Sequence, residues 1–320
     1  MSEPPSLILT GGTGFVGGYL APRLAADFPH YRRVMVVATS DTPRANPNWQ
    51  FEPLDLTDEA AVDIFIARYR PTIIVHMAAQ SSVGQAHQAA EATWRVNVIG
   101  SFNLARAVGR HSPSSLVFYT SSGDVYGSSC MAGPASEDTP AAPMNSYSLS
   151  KLAAERILED ILPPETRLII TRAFNHSGAG HDQRFVLPSF AAQIARAENG
   201  AAPPVIRVGN LAAQRDFLHV SDVVEAYFEL IRMADTLPMR NTFNVASGET
   251  LALNQILELM LSKSRLDISI VQDPARMRPS DTPKIVGDSS RLRRVTGWAP
   301  KLGIEAIVED LLGCFRGAET

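Results

Sequence analysis

The 320-residue chain holds only two cysteines, Cys130 and Cys314, far apart and without CxxC spacing. Such scarcity leaves no disulfide framework and no thiolate metal site, and it fits a reducing cytoplasm. Positive charge is not in excess either. Twenty-nine Lys and Arg against 33 Asp and Glu give a formal net charge of −4, so the electrostatic footprint of a nucleic-acid binder is missing. No stretch approaches the roughly 20 apolar residues of a membrane span. The opening MSEPPSLILT carries an acid, two prolines and no basic n-region, so a signal peptide is not expected. No histidine stands at metal-ligand spacing from Asp or Glu and no GxSxG elbow occurs, so neither metal nor serine-hydrolase chemistry is expected. Internal repeats and low-complexity tracts are lacking as well. What remains is ordinary for a soluble enzyme: 45% hydrophobic, 19% charged, and long enough for one large domain or two unequal ones.

Short apolar runs alternate with helical patterns through the first half. SLILT (6–10), RRVMVVAT (32–39), TIIVHMAA (72–79), SLVFYTSS (115–122) and RLIITRAFN (167–175) read as strands. Between them YLAPRLAADF, DEAAVDIFIARY (58–69), ATWRVNVIGSFNLARAVGR (92–110) and SYSLSKLAAERILEDIL (146–162) read as helices. Strict alternation implies right-handed βαβ crossovers, hence an α/β fold with a doubly wound parallel Rossmann sheet. Beyond Asn175 the pattern loosens into proline-rich loops, short strands and a few helices, which reads as a smaller C-terminal α/β substrate lobe. The expected division is 1–173 plus about 214–247 for the dinucleotide domain, and about 174–213 plus 248–320 for the lobe.

TGGTGFVGG (10–18) puts Gly11, Gly14 and Gly17 directly after the first strand, opening the first helix. Glycine permits the tight turn and lets backbone approach a pyrophosphate, while the helix N-terminus offers free N–H groups and positive dipole. Gly11, Thr13, Gly14, Phe15, Val16 and Gly17 are therefore the cofactor turn. An acid closing the second strand would accept from a ribose 2′-OH; here Ala38 and Thr39 stand in its place, with Arg44 a little beyond. Thr39 and Arg44 thus favour NADP(H) over NAD(H). Asp55 and Leu56 are positioned to flank the adenine.

NSYSLSK (145–151) sets Tyr147 and Lys151 at i, i+4, on one helical face. A free phenol has a pKa near 10, too high for ready proton exchange at neutral pH. An adjacent ammonium is expected to lower it and make Tyr147 a usable acid or base. A chance surface pair is the competing reading, because helices contain many.

The pair is not isolated. GGTGFVG, HMAAQSS (76–82), NVIG (97–100), TSSGDVYG (120–127) and YSLSK occur in an order that resembles the extended short-chain dehydrogenase/reductases, over nearly the whole chain. The resemblance implies that Ser122 hydrogen-bonds the reacting sugar oxygen and Tyr147 exchanges the proton. Lys151 would hold the nicotinamide ribose and tune Tyr147, and Asn97 would support the helix. Ala78 and Ala79 would contact the cofactor, and Ser81 the substrate. RAFNHSG (172–178), VGNLAAQRDFLHVSDV (208–223) and RMRPSDTPKIVGDSSRLRRVTGWAP (276–300) resemble the nucleotide-sugar lobe of the GDP-mannose branch, which contains dehydratases and 4-keto reductases. RMRPSDTP with GDSSRL is more similar to the reductases.

A lobe of that kind must neutralise a diphosphate, and guanidinium matches phosphate bidentately, which points to Arg215 and Arg278. Asp281 would orient an arginine or accept from a ribose hydroxyl, and Asn175 would donate to phosphate or sugar. Competing readings are a surface Arg215–Asp216 ion pair and a packed, neutral His176. His76 reads as a strand-end residue and His219–Asp222 as structural.

Residues 122–124 separate the reactions. Reduction of a 4-keto sugar needs hydride from the nicotinamide and a proton on the carbonyl oxygen, which Ser122, Tyr147 and Lys151 supply. Dehydration also needs a base for the C5 proton and an acid to expel the C6 hydroxyl. Dehydratases resembling this chain carry a glutamate two before the motif tyrosine, with a hydroxyl or acid just ahead of it. Asp124 and Gly123 occupy those positions here. Glycine offers nothing to expel water, and a ~1 Å misplacement costs on the order of 10²-fold in rate. The expectation is therefore reduction of GDP-4-keto-6-deoxy-D-mannose to GDP-D-rhamnose by a cytoplasmic homodimer, with no nucleic-acid or membrane partner. Asp124 would orient Ser122, bind a sugar hydroxyl or retain some C5 proton exchange. A dehydratase, a 4-epimerase and a non-catalytic dinucleotide-sensing regulator stay open as alternatives.

Overall fold

The computed structural model describes residues 4–39, 46–277 and 282–318. Among them no helix is long and apolar enough to cross a membrane. The chain divides into two compact units, the first comprising Met1–Val125, Pro143–Arg172 and Val224–Phe243, the second Tyr126–Ala142, Ala173–Val223 and Asn244–Thr320.

The first half alternates as expected: β1 (Ser6–Thr10), α1 (Phe15–Asp27), β2 (Arg32–Val37), β3 (Gln50–Pro53), α2 (Glu59–Tyr69) and β4 (Ile73–His76). Then follow α3 (Val83–Gln88), α4 (Ala90–Trp94), α5 (Gly100–His111), β5 (Leu116–Ser122), α6 (Ser146–Ile161) and β6 (Arg167–Ala173). With the strand Arg240–Val245 they form a seven-stranded sheet in the order Arg240–Val245, β6, β5, β4, β1, β2, β3. The pairs β3–β2, β2–β1, β1–β4 and β4–β5 are parallel. The fold class is thus the α/β, Rossmann-like one that the alternation implies. Every residue of β1 and β4 is buried, because a central parallel strand is covered on both faces and needs no polar alternation. Ile8, Val34, Ile74 and Val117 from the strands pack with Val62, Ile66, Leu104, Val108 and Leu158 from the helices. Each such fully buried aliphatic contributes roughly 1.5–3 kcal/mol, which leaves the strand ends free to carry polar groups.

The second unit is built from short pieces. Asn175–Ser177 pairs in parallel with Phe217–His219, and Val205–Val208 with Ser269–Gln272. Gln214–Arg215 lies between Leu251–Ala252 and Lys284–Ile285. Helices Val186–Glu198, Leu253–Ser262 and Ile304–Ala318 enclose a core of Leu187, Phe190, Ile194, Leu257, Met260 and Leu311.

The division differs from the sequence reading in 126–142, 173, 214–223 and 244–247, all of which lie in the second unit. Long-range bonds explain the first and third. The Tyr126 hydroxyl donates to Asn244 Oδ1 at 2.8 Å, the Ala135 N–H to the Val286 carbonyl at 2.9 Å, and Gln214–Arg215 pairs only with strands of this unit.

The Arg215–Asp216 surface pair does not form. Asp216 is 0% exposed and its carboxylate accepts from the Ser247 N–H (2.9 Å), the Ser247 hydroxyl (2.6 Å), the Gly248 N–H (3.0 Å) and the Gly287 N–H (3.2 Å). Burial pushes its pKa up, and the four donors oppose that. Removing one side of a buried network leaves several donors without acceptors, at about 1–3 kcal/mol each. Asp216→Ala is therefore expected to cost at least 3 kcal/mol, read as a lower urea midpoint at unchanged slope.

Candidate active site

The first strand ends in a turn that only glycine makes easily. Gly11 has φ +71°, and a Cβ placed on it would lie 2.7 Å from the Ala78 nitrogen. A Cβ on Gly17 would come within 2.5 Å of the Gly12 carbonyl, so helix α1 packs on the turn through a bare backbone. Gly14 is the N-cap of α1 and provides no side-chain cap, and a helix N-terminus of this kind attracts an anion. Thr13 and Gly14 are exposed, while Phe15 and Val16 are partly buried. This cradle fits a dinucleotide pyrophosphate.

The remaining described cofactor candidates follow β2, β3 and β4 in the chain. Ala38 and Thr39 are exposed directly after β2, whereas Arg44 lies outside the described residues. Asp55 is exposed and accepts the Thr57 N–H at 2.8 Å. Leu56 is buried in the sheet core, where its Cβ lies 3.2 Å from the position of a Cβ on Gly100. Ala78 and Ala79 follow β4, the Ala78 N–H donating to Thr10 Oγ1 at 3.1 Å. Ser81 is exposed.

At the end of β5, Ser122 is 9% exposed and the Asp124 N–H donates to its Oγ at 3.2 Å. Asp124 thus holds the Ser122 hydroxyl through its backbone amide, which the sequence could not reveal. Helix α6 starts with a capping box: Asn145 Oδ1 accepts the Ser148 N–H, and the Ser148 hydroxyl faces the Asn145 N–H. The box fixes the helix start on either side of Tyr147. The Ser122 hydroxyl acts on the Tyr147 phenol by favouring its charged form. One turn on, Lys151 is 2% exposed, with Nζ 4.4 Å from the centre of the Tyr119 ring.

The charges act differently from the expectation. Burial first, then the Asp124 carboxylate and Tyr227, push the Tyr147 pKa well up; the Ser122 hydroxyl pulls the other way, and Lys151 is not among the influences. Tyr147 is consequently a neutral phenol. Lys151 falls to about 7 because burial penalises its ammonium, while the Glu155 charge opposes the fall. Glu155 is 0% exposed and held by Arg172, whose Nη2 donates to Oε2 at 2.7 Å and Nε to Oε1 at 3.1 Å. Tyr147, Lys151 and Glu155 share one face of α6 at i, i+4 and i+8, a spacing present in the sequence and passed over. Its partner Arg172 comes from β6 and was not legible.

Asn97 sits in a π-helical turn, Arg95–Ile99, just before α5. Its Oδ1 accepts the Gln80 N–H at 2.8 Å, and its Nδ2 donates to the Ser150 hydroxyl at 3.0 Å. Ser150 in turn donates to the Tyr147 carbonyl at 2.7 Å. The side chain therefore ties the loop after β4 to the helix of Tyr147 and Lys151.

Asn175 opens a short strand, and Arg215 Nη1 donates to the Thr282 carbonyl at 2.8 Å. Arg278 and Asp281 lie outside the described residues. Burial lowers the His176 pKa, and its Nδ1 lies 2.9 Å from the Phe174 carbonyl. His219 pairs with Asp310 at 2.9 Å, and Asp222 accepts the Lys301 and Leu302 N–H groups, so both are structural.

A family model described as GDP-mannose 4,6 dehydratase matches residues 8–311. The chain is 33% identical over 308 residues to GDP-6-deoxy-D-mannose reductase of Pseudomonas aeruginosa, covering 96% of this chain and 95% of that one. It is 27% identical over 307 residues to GDP-6-deoxy-D-talose 4-dehydrogenase of Aggregatibacter actinomycetemcomitans, covering 95% and 96%. The solved structure of RMD from Pseudomonas aeruginosa complexed with NADPH superimposes with a TM-score of 0.82 at 31% identity, covering 98% and 99%.

Between about pH 7 and the ordinary lysine value of 10.5, the unfolded chain holds a proton on Lys151 that the folded chain has released, so stability rises with pH across that window. A rate that requires the ammonium runs the other way, and kcat/KM is expected to fall as pH rises through about 7. Glu155→Gln removes the opposing charge and should move that limb down by about one pH unit or more, measured as kcat/KM against pH with a nicotinamide cofactor.

Proposed function

Since the chain belongs to the GDP-mannose 4,6-dehydratase family, we propose that it is a NAD(P)H-dependent reductase converting the 4-keto group of GDP-4-keto-6-deoxy-D-mannose into the hydroxyl of GDP-D-rhamnose. One observation carries the reading: Ser122 ends β5 with its Oγ accepting the Asp124 N–H at 3.2 Å, beside a residue 123 that has no side chain. The nicotinamide, when bound, supplies hydride to C4. The chain supplies the rest. Ser122 donates to the 4-keto oxygen and fixes its direction, and Tyr147 transfers the proton that this oxygen takes up. Burial keeps the phenol protonated, so Tyr147 enters the reaction as the acid, and the charge developing on the 4-oxygen must draw the proton off. Lys151, with Asn97 tied to its helix and Glu155 one turn further along it, holds the nicotinamide ribose.

The glycine cradle Gly11, Gly14 and Gly17 receives the pyrophosphate, with Thr13, Phe15 and Val16 around it and Ala78 and Ala79 alongside. The absence of an acid at Ala38–Thr39 favours NADP(H). In the second unit Asn175 and Arg215 address the GDP-sugar, with Arg278 and Asp281 from beyond the described residues. Two free cysteines fit a cytoplasmic setting. Ile99 (46% exposed) and Leu149 (45% exposed), beside α5 and on α6, support a homodimer formed through those helices.

Dehydration is the second reading, because the family model bears that description. It requires an acid to expel the C6 hydroxyl, and Gly123 provides none. The test is to incubate the purified protein separately with GDP-mannose and with the 4-keto sugar plus NADPH or NADH. Consumption of reduced cofactor with the keto sugar alone is expected, faster with NADPH; conversion of GDP-mannose without added reductant would overturn the reductase reading. Tyr147→Phe should lower kcat at least 10³-fold and leave NADPH binding within about twofold, since the hydroxyl it removes is the proton donor.

A further inference from the structure

His76 ends β4, is 0% exposed and takes no part in the proton transfer described above. Both ring nitrogens are engaged: Nδ1 lies 2.8 Å from Thr10 Oγ1, and Nε2 lies 3.0 Å from Ser101 Oγ. The neighbours decide which nitrogen bears the proton. Ser101 sends its own hydroxyl proton to the Asn97 carbonyl at 2.7 Å, so its oxygen must accept from the ring. Nε2 is therefore the N–H. Nδ1 is then the acceptor, and the Thr10 hydroxyl donates to it. Thr10 Oγ1 still has a lone pair, which takes the Ala78 N–H. One directed chain results: Ala78 N–H to Thr10, Thr10 to His76, His76 to Ser101, Ser101 to the Asn97 carbonyl.

Each member sits on a different part of the cofactor site. Thr10 immediately precedes the glycine turn, and that turn presses on Ala78 at Gly11. Asn97 continues the connection through its side chain to Gln80 and to Ser150, which bonds the Tyr147 carbonyl. The ring also faces Tyr119, with centroids 5.5 Å apart, and it feels the Lys151 charge. A second cation there would repel Lys151, so a neutral ring is the compatible one. Burial and Lys151 together lower its pKa to about 3.

We propose that His76 is a positioning residue: as the neutral Nε2–H tautomer it fastens the glycine turn, the Ala78–Gln80 loop and the helix of Tyr147 and Lys151 into one register. The mechanism is mechanical. A lost link lets the turn and the loop move independently, and the cofactor must then order them on binding. Each net hydrogen bond is worth about 0.5–1.5 kcal/mol, so breaking a link that serves two segments should weaken dinucleotide binding roughly tenfold. The proposal rests on the cofactor reading of the glycine turn, but its tautomer can be measured apart from that reading.

Two measurements test it. In ¹⁵N-histidine-labelled protein, with His76→Asn used to assign the signals, His76 should show a protonated Nε2 and a bare Nδ1, unchanged between pH 5 and 8. An Nδ1–H tautomer, or a titration midpoint near 6, would overturn the proposal whatever the protein binds. In the second, NADPH fluorescence titrations should show about tenfold weaker binding for both Thr10→Val and Ser101→Ala, with substrate KM near the unmodified value. His76→Gln, which keeps a donor toward Ser101, should recover part of the affinity lost in His76→Leu. Unchanged NADPH affinity in Thr10→Val and Ser101→Ala would overturn it. Failure of the unmodified protein to bind NADPH or NADH would instead defeat the cofactor reading and leave the tautomer result standing.

Discussion

An ammonium group almost without access to water has to be supported from inside the protein, and Lys151 is that group. Its surroundings all answer this need. Tyr119 lends the face of its ring, Glu155 lends a buried negative charge one turn along the helix, and His76 stays neutral beside it. Glu155 in turn would be an uncompensated buried charge without Arg172, and breaking such a pair typically costs 3–5 kcal/mol. The bidentate grip from β6 therefore belongs to the same requirement. Strand and helix are joined here by electrostatics as well as by aliphatic packing.

Much of this was written in periodicity. β1 and β4 are continuous apolar runs, and helices alternate with them, so an α/β sheet with a glycine turn after its first strand could be read directly. Tyr147 and Lys151 were visible because four residues make a helical turn. The second half was legible only as a looser pattern, because its strands are two to four residues long and pair with segments far away in the chain. Asp216 shows why. Nothing local distinguishes it from a surface acid, yet its four donors come from residues more than 30 positions away.

Three details escaped the sequence for a related reason: they depend on which atom of a residue is used. Asp124 looked like a carboxylate in search of a task, but its amide is what holds Ser122. His76 looked like the end of a strand, and so it is; its two nitrogens become informative only when Thr10, from another strand, and Ser101, from a helix, are seen beside it. The effect of Lys151 on Tyr147 was inferred from spacing alone. Spacing sets proximity, whereas burial and Asp124 set the protonation state.

That protonation state bears on direction. A reaction that begins by oxidising a C4 hydroxyl needs the phenolate to take its proton, so it must first overcome both the burial of Tyr147 and the repulsion from Asp124. A reaction that begins with hydride arriving at a 4-keto carbon needs the phenol, which burial and Asp124 both favour. Asp124 thus acts at two points: its amide donates to Ser122 Oγ, and its charge opposes loss of the Tyr147 proton. Gly123 has no side chain with which to expel water. The order Ser122–Gly123–Asp124 thus sets a hydroxyl and the amide that holds it on either side of a residue with no side chain.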